Sequence, residues 1–585
     1  MRPALTQRAW ILWVAACVLA ACALHAPSLN MGWFGDDYAH RRFILDHLRG
    51  APSATVWWNM FDWRSPDRDA LDPGSLFGRL PWWAGSDFSF ALLRPLSTVS
   101  HYLDYLLWPN TPWAMHLHNL LLVCALVATA SVLYRHLFDS ALTAWLGLAL
   151  FAVDDALTIS AGWIASRNTL LTANFVLLTV AAYARAARRG SRPFEIASLL
   201  ALAGAHASSE GGIVAWAYLL AFTLFLDSRP MPLKQRSLAP LALLSLSWVT
   251  LSALAGYGVH GSGVYLDPRH DPISFMRGVQ ERMPGLLELQ FGIPPEFQQQ
   301  LGGELQGYVS GACWLYLAVL AGLSASLWRR SAVLRFCACA SFIALVPQCA
   351  AGSFARLLPL SGFAAHGLMA ILVEELLRAR SKRAARIAGV SCAVFTLTIH
   401  VLAAAIIPTY ARAFSRSMHE SVSHAAQSLP HASAASGERI VVLNFPDYLR
   451  SVFTDLYRRE LFGPALGRMD VIGISPAPVR LTRLGSDSIE LEPVVGFLYE
   501  PSSLLVRQSR HWFRVGQRFE LDGLRVEVAS VTADGHPARI RLQQVTRPGV
   551  RWFRWSWQAQ RFVEIRLPSV GDEGWLDSGA FDGMP

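Results

Sequence analysis

Apolar runs of roughly membrane-spanning length recur through the first 408 residues, and every second connection between them is rich in arginine and lysine. Hydrocarbon about 30 Å thick admits only helices or closed barrels, because unpaired backbone groups cannot be left in it. The runs cover 10–26, 116–134, 141–159, 170–184, 196–207, 213–226, 238–255, 312–327, 333–350, 357–377 and 387–407. That gives eleven candidate spans. Positive residues mark the cytoplasmic side of a span, and here they fall in strict alternation. Arg2 and Arg8 precede the first run; then come Arg135, Arg185 to Arg192, Arg229 to Arg236, Arg329 to Arg335, and Arg378 to Arg386. The N-terminus is therefore expected inside, and everything after residue 408 outside.

Composition agrees. The chain is 53% hydrophobic and 16% charged, with a mean hydropathy of +0.31, outside the range of a soluble domain. The net charge of +9 sits in the inner connections, as a topology signal does, so nucleic acid is not an expected partner. All eight cysteines lie in apolar runs, which argues against a disulfide framework or a zinc knuckle. The segment Leu19-Ala20-Ala21-Cys22 also has the form of a lipoprotein cleavage site, a rival to a plain first span.

Two external loops are long, 27–111 and 256–311. Within the first, residues 88–108 hold Arg94, Pro95, His101 and Asp104, costly at mid-bilayer. They are expected as an amphipathic surface helix anchored by Trp82, Trp83 and Trp108. The last quarter of the chain has soluble character. Residues 437–447 form a short apolar run, while 524–528 and 538–542 alternate around Asp534-Gly535, as a hairpin does. The expected fold is an α-helical polytopic membrane protein of about eleven transmembrane helices (1–408) with a smaller β-rich α+β soluble domain (409–585).

Once sorted by side, the ionisable residues are lopsided. Asp36, Asp37, His40, Arg94, His101, Asp104, His116, His118, Asp154, Asp155, Arg167, Glu210 and Arg356 all gather on the outer side. Mixed charge near an interface suggests a pocket for a charged ligand. Each has a plainer reading. Asp36-Asp37 can simply cap a helix starting near Tyr38, His116 and His118 can be interfacial polar residues, and Arg167 can snorkel. Adjacent carboxylates also suit Mg²⁺ or Mn²⁺. Trp512, Trp552, Trp555 and Trp557 are either a stacking surface for sugar or domain core.

Several of these segments resemble a known family. Gly32-Trp33-Phe34-Gly35-Asp36-Asp37-Tyr38 is similar to the acidic motif in the first external loop of the GT-C integral-membrane glycosyltransferases. Arg94-Pro95-Leu96-Ser97, Asp104-Tyr105, His116-Leu117-His118-Asn119-Leu120-Leu121 and Trp163-Ile164-Ala165-Ser166-Arg167 resemble, in order, segments of the transmembrane and tetratricopeptide-containing O-mannosyltransferases. Two positions depart: Asp154-Asp155 stands where those proteins tend to have His-Pro, and Ser209-Glu210 where many have Lys-Glu. No tetratricopeptide array follows; the C-terminal region looks like a β-rich domain of bacterial GT-C-like proteins.

The resemblance implies a GT-C-like fold in a bacterial inner membrane, with the C-terminal domain periplasmic. It implies inverting transfer of a sugar from a polyprenyl-phosphate donor to a protein, lipid or glycan acceptor. Asp36 or Asp37 would be the base, with preference for Asp36, and the pair the site of any divalent cation. Arg167 is the first candidate for the donor phosphate, Arg94 and Arg356 the next. His116, His118, Asp154, Asp155 and Glu210 would line the substrate pocket, while Tyr265, Asp267 and Arg269 stand on a loop that either closes over it or, by the plainer reading, is only structural. Two other classes remain, an ion-coupled transporter and a non-catalytic scaffold for envelope glycan assembly.

Overall fold

The computed structural model describes residues 7–50, 56–64, 80–378, 383–431, 438–463, 466–508, 512–521, 523–545 and 549–578. Arg2, Arg380 and Lys382 of the inner connections lie outside the described residues.

Every apolar run is helical, but the expected count of eleven spans is not met. Among the described residues, seven helices are long and apolar enough to cross a membrane: Gln7–Asn30, Pro112–Leu137, Ile164–Arg189, Met231–Leu254, Gly303–Leu327, Pro359–Arg378 and Val390–Gln427. Ala141–Ala152, Glu210–Phe225 and Ala332–Gln348 are shorter apolar helices, and Arg192–Ser208 is helical as well. The twelve residues of Ala141–Ala152 rise about 18 Å at 1.5 Å each. The helix stops because the chain turns at Asp154-Asp155, where Asp154 Oδ1 accepts the Ala156 amide at 3.1 Å. Hydropathy alone reads straight across that turn.

Pro359–Arg378 is the central helix of the bundle, buried along most of its length, whereas Met231–Leu254 and Gly303–Leu327 are peripheral. Leu243, Leu246, Leu251 and Leu254 stand exposed on the former, as lipid-facing side chains must. In the helix Pro95–Leu107, Ser97, Thr98, His101 and Asp104 turn inward while Val99, Leu103, Leu106 and Leu107 face out. It is amphipathic with its polar face buried against the protein, the arrangement a helix at a lipid interface adopts.

Among the described residues, twelve strands form three sheets. Strands β1 (Ser89–Ala91) and β2 (Gly258–His260) pair antiparallel, Phe90 opposite Val259, and so join the two long loops. The C-terminal region holds β3 (Arg439–Val442), β4 (Arg468–Val471), β5 (Val479–Gly485), β6 (Ser488–Pro493), β7 (Arg518–Glu520), β8 (Arg525–Val531), β9 (Pro537–Gln543), β10 (Val550–Ser556), β11 (Arg561–Ile565) and β12 (Glu573–Trp575). A four-stranded sheet runs β11-β10-β3-β4, and a six-stranded antiparallel sheet runs β12-β5-β6-β9-β8-β7. The expected hairpin is β8–β9, and the expected buried strand is β3, which runs parallel to β4 across the helix Tyr448–Phe462.

No flexible linker separates the two parts. Helix Arg383–Gln427 runs unbroken through Pro408, and its last turns place Ala425 in the core of the C-terminal domain. Trp82 and Trp83, expected as membrane anchors, are instead buried in that same core. The Trp82 indole donates to the Ile472 carbonyl at 2.8 Å and its ring packs on Phe513 and Phe519. Trp552 and Trp555 are likewise buried, so they are core rather than a sugar platform.

Candidate functional site

A cavity of about 740 Å³ opens where the helical bundle, the β1–β2 loops and the C-terminal domain meet. Asp36, His40, Arg94, Glu210, Arg269 and Arg356 bring charge or imidazole to its wall, and Trp163, Tyr265 and Tyr448 bring rings.

The segment Met31–Gly35 hangs between helices, and a set of side chains clamps it. His116 Nε2 lies 2.8 Å from the Gly32 carbonyl, and the Trp163 indole donates to the Phe34 carbonyl at 3.2 Å. Gly35 adopts φ 55° and ψ −119°, a conformation effectively reserved for glycine. That turn starts helix Asp36–Leu48 and points its two leading acids in different directions.

Asp37 is 1% exposed. Its Oδ2 accepts the Phe34 amide at 3.0 Å and its Oδ1 the Ala165 amide at 2.6 Å, so both oxygens are spent on backbone donors that would otherwise be orphaned. Burial pushes its pKa up to about 8, against the pull of those two donors, with the Asp36 charge adding to the rise. Asp36 is different. Its side chain faces the cavity and has no hydrogen-bond partner among the described residues. Burial raises it to about 6, the Arg356 charge opposing the rise. Neither acid caps the helix, whose N-cap is Gly35: Asp37 braces the turn that precedes it, and Asp36 stays open to the cavity. Asp37 is committed to the backbone, so of the expected Asp36-Asp37 metal pair Asp36 faces the cavity.

Arg167 is not at the cavity, which corrects its expected place beside a ligand phosphate. It is fully buried, paired with Asp104, and donates to Asn119 Oδ1 at 2.7 Å, the Met115 carbonyl at 3.0 Å and Ser100 at 3.2 Å. Every face of its guanidinium is engaged in knitting Pro95–Leu107 to Pro112–Leu137. His118 accompanies it, with Nδ1 2.8 Å from Asp104 Oδ1. His116, His118, Asp154 and Asp155 likewise do not line the cavity. His116 clamps the Gly32 turn, and Asp154 is buried in the bundle with Oδ2 3.8 Å from His366.

Glu210, Arg94 and Arg356 reach the wall as Asp36 does. Glu210 and Arg94 pair there, one of the contacts being 2.9 Å from Arg94 Nε. Arg356 has no carboxylate at ion-pair distance among the described residues. It donates to the Tyr265 hydroxyl at 3.2 Å and lies over the Trp163 and Phe354 rings. It is the available cation. Asp267, from the loop expected to close over the site, lines the wall too, but bound to Arg269.

His40 and Tyr448 were assigned no role by the sequence. His40 follows Asp36 by one helical turn, is 3% exposed, and has no partner for either ring nitrogen among the described residues. Burial first, then the charges of Arg94 and Arg167, holds it down to about 3, so it is neutral. The Tyr448 hydroxyl is also buried without a partner. Its residue opens the helix that Asp447 caps by accepting the Arg450 amide at 2.8 Å. The only sequence signal was Asp447 in an N-cap position, and it does not say which way the helix points.

No family model matches the chain. Over 175 residues it is 31% identical to the protein O-mannosyl-transferase Tmtc1 of Drosophila melanogaster, a stretch that makes up 29% of this chain and 18% of the relative. The chain resembles GT-C-type membrane glycosyltransferases. It spans less than a fifth of the length of that relative. Among solved structures, the apo oligosaccharyltransferase of Archaeoglobus fulgidus gives a TM-score of 0.46 at 14% identity, over 80% of this chain and 65% of that one. The same enzyme in complex with an inhibitory peptide and a dolichol-phosphate gives 0.42 at 11%, over 77% and 64%.

Proposed function

We propose that this protein transfers a sugar from a polyprenyl-phosphate-linked donor to an acceptor hydroxyl or amide, with inversion, on the outer face of the cytoplasmic membrane. The observation that carries the proposal is Asp36: an unpaired carboxylate aimed into a cavity that also holds an arginine with no carboxylate partner. The sequence resemblance to a protein O-mannosyl-transferase supports the same class.

In the proposed reaction the acceptor oxygen, or the nitrogen of an amide acceptor, attacks the anomeric carbon as the bond from that carbon to the phosphate oxygen breaks. The acceptor proton passes to the Asp36 carboxylate, a base whose acidity near 6 leaves it ionised at neutral pH and still basic enough to take a proton. The departing polyprenyl phosphate gains a negative charge. Arg356 stabilises that charge from a wall it shares with Trp163 and Tyr265, with a planar guanidinium suited to a phosphate. Arg94 is half of an ion pair with Glu210, so it shapes the wall without adding net charge. The neutral imidazole of His40 and the hydroxyl of Tyr448 are free to hold sugar or acceptor hydroxyls. Asp37 acts only through Asp36, by fixing the turn.

The test is transfer from a polyprenyl-phosphate sugar in proteoliposomes. Asp36→Asn is expected to abolish turnover while donor still binds; turnover equal to wild type would remove Asp36 from the chemistry.

A further inference from the structure

At the rim of the cavity, three side chains of the second long loop converge. His260 ends β2, and Asp267 and His270 sit in the turn that leads to helix Pro272–Phe291. One ring nitrogen of each histidine and one carboxylate oxygen lie within 4.8 Å of one another, and the two imidazoles stand 3.6 Å apart between ring centres. The group is built rather than incidental. Asp267 Oδ1 accepts the Arg269 amide at 2.9 Å, and the Asp267 carbonyl accepts the His270 and Asp271 amides at 3.1 and 3.0 Å. His260 Nδ1 is buried with no hydrogen-bond partner among the described residues. Gly258 keeps the space open: a Cβ there would lie 2.5 Å from Asp267 Oδ2.

We propose that His260, Asp267 and His270 bind a first-row transition-metal ion, with Zn²⁺ the ion their donors suit. Two imidazoles and one carboxylate are a borderline-soft set, which favours Zn²⁺ over the all-oxygen preference of Mg²⁺ and Ca²⁺. Donor atoms around tetrahedral zinc stand about 3.4 Å apart, so the three must close by an ångström or so, within reach of ring rotation. The site is distinct from the Asp36-Asp37 pair and does not depend on the transfer reading.

One neighbour competes. The Arg269 guanidinium bonds Asp267 Oδ2 at 2.6 Å and the Tyr257 carbonyl at 2.8 Å, while His270 Nδ1 stands 3.5 Å from that same Oδ2. An ion that takes Oδ2 must displace Arg269, which itself lines the cavity. Metal binding would thus loosen Arg269 at the cavity wall, leaving its Nε on Asp267 Oδ1 at 3.0 Å and its Nη2 on the Tyr257 carbonyl.

The untagged full chain, stripped of metal in detergent, is titrated with Zn²⁺ against a chromogenic chelator. The expected result is one tightly held ion per chain. Affinity should fall by roughly tenfold or more in His260→Ala and in His270→Ala, and rise by about tenfold in Arg269→Gln, where the competitor is gone. No stoichiometric ion, or an affinity indifferent to both histidine variants, overturns the proposal. Should those variants fail to fold, X-ray absorption on the Co²⁺-loaded wild-type chain decides: two imidazole ligands support the site, and fewer than two overturn it.

Discussion

Asp36 and Asp37 are neighbours with opposite fates, and substitution should separate them. Asp36→Asn removes the base and leaves the fold alone: transfer should fall by roughly 10²- to 10⁴-fold, with a melting temperature at neutral pH no lower than wild type. Asp37→Asn keeps shape but sets an amide against one of two backbone N–H groups, at a cost of about 1–3 kcal/mol. Its signature is a lowered melting temperature with activity lost only in proportion to unfolding. The pH profile is a second check. Asp36 must be ionised to act and its pKa is raised to about 6, so log(kcat/KM) should fall with unit slope as pH drops through about 6, and that limb should vanish in Asp36→Asn. For Arg356, loss of the cation that meets the departing phosphate should cost roughly 10²- to 10³-fold in kcat for Arg356→Gln. Arg356→Lys should recover little of it, since an ammonium does not replace a planar guanidinium stacked between rings.

At the level of elements, the motif residues converge on one turn, yet most of them build rather than react. His116, Trp163, Asn119 and Arg167 come from segments the sequence marked as chemical, and their hydrogen bonds hold Gly32–Gly35 and the helices behind it. Spacing in sequence reports which residues share a helix, not which face meets a ligand, so Arg167 and Arg356 looked alike until burial separated them. Arg167 forms a fully buried ion pair with Asp104, and breaking one partner strands a charge. Arg167→Leu should therefore destabilise by about 3–5 kcal/mol, much of it regained in an apolar replacement of both residues. Thermal melts of the single and double variants measure this. A catalytic role for Arg167 would instead give a stable, inactive single variant. Span counting shows a comparable blind spot. Apolar runs and charge alternation locate the helices of the bundle but not Pro272–Phe291 or Tyr448–Phe462, and the break at Asp154-Asp155 depends on a backbone turn that hydropathy averages away.

Over the whole molecule, the cavity is assembled from parts far apart in the chain: Asp36 from the first turn after the first span, Arg356 before the central helix, Tyr448 and Phe453 from the C-terminal domain. The sequence marks that domain as β-rich but carries no sign that it walls the site, because long-range docking leaves no local period. The joint rests on Trp82, which is 6% exposed, donates to Ile472 and packs on Phe513 and Phe519. It ties the first long loop to the C-terminal core, and that loop supplies β1, which pairs with β2 beside the cavity. Deleting such a ring costs about 3–5 kcal/mol, more than a loop of this kind can lose and stay docked. Trp82→Ala should then leave the helical bundle intact, open the C-terminal part to limited proteolysis, and raise the acceptor KM far more than the donor KM. A catalytic site confined to the bundle would keep both constants at wild-type values in the same variant.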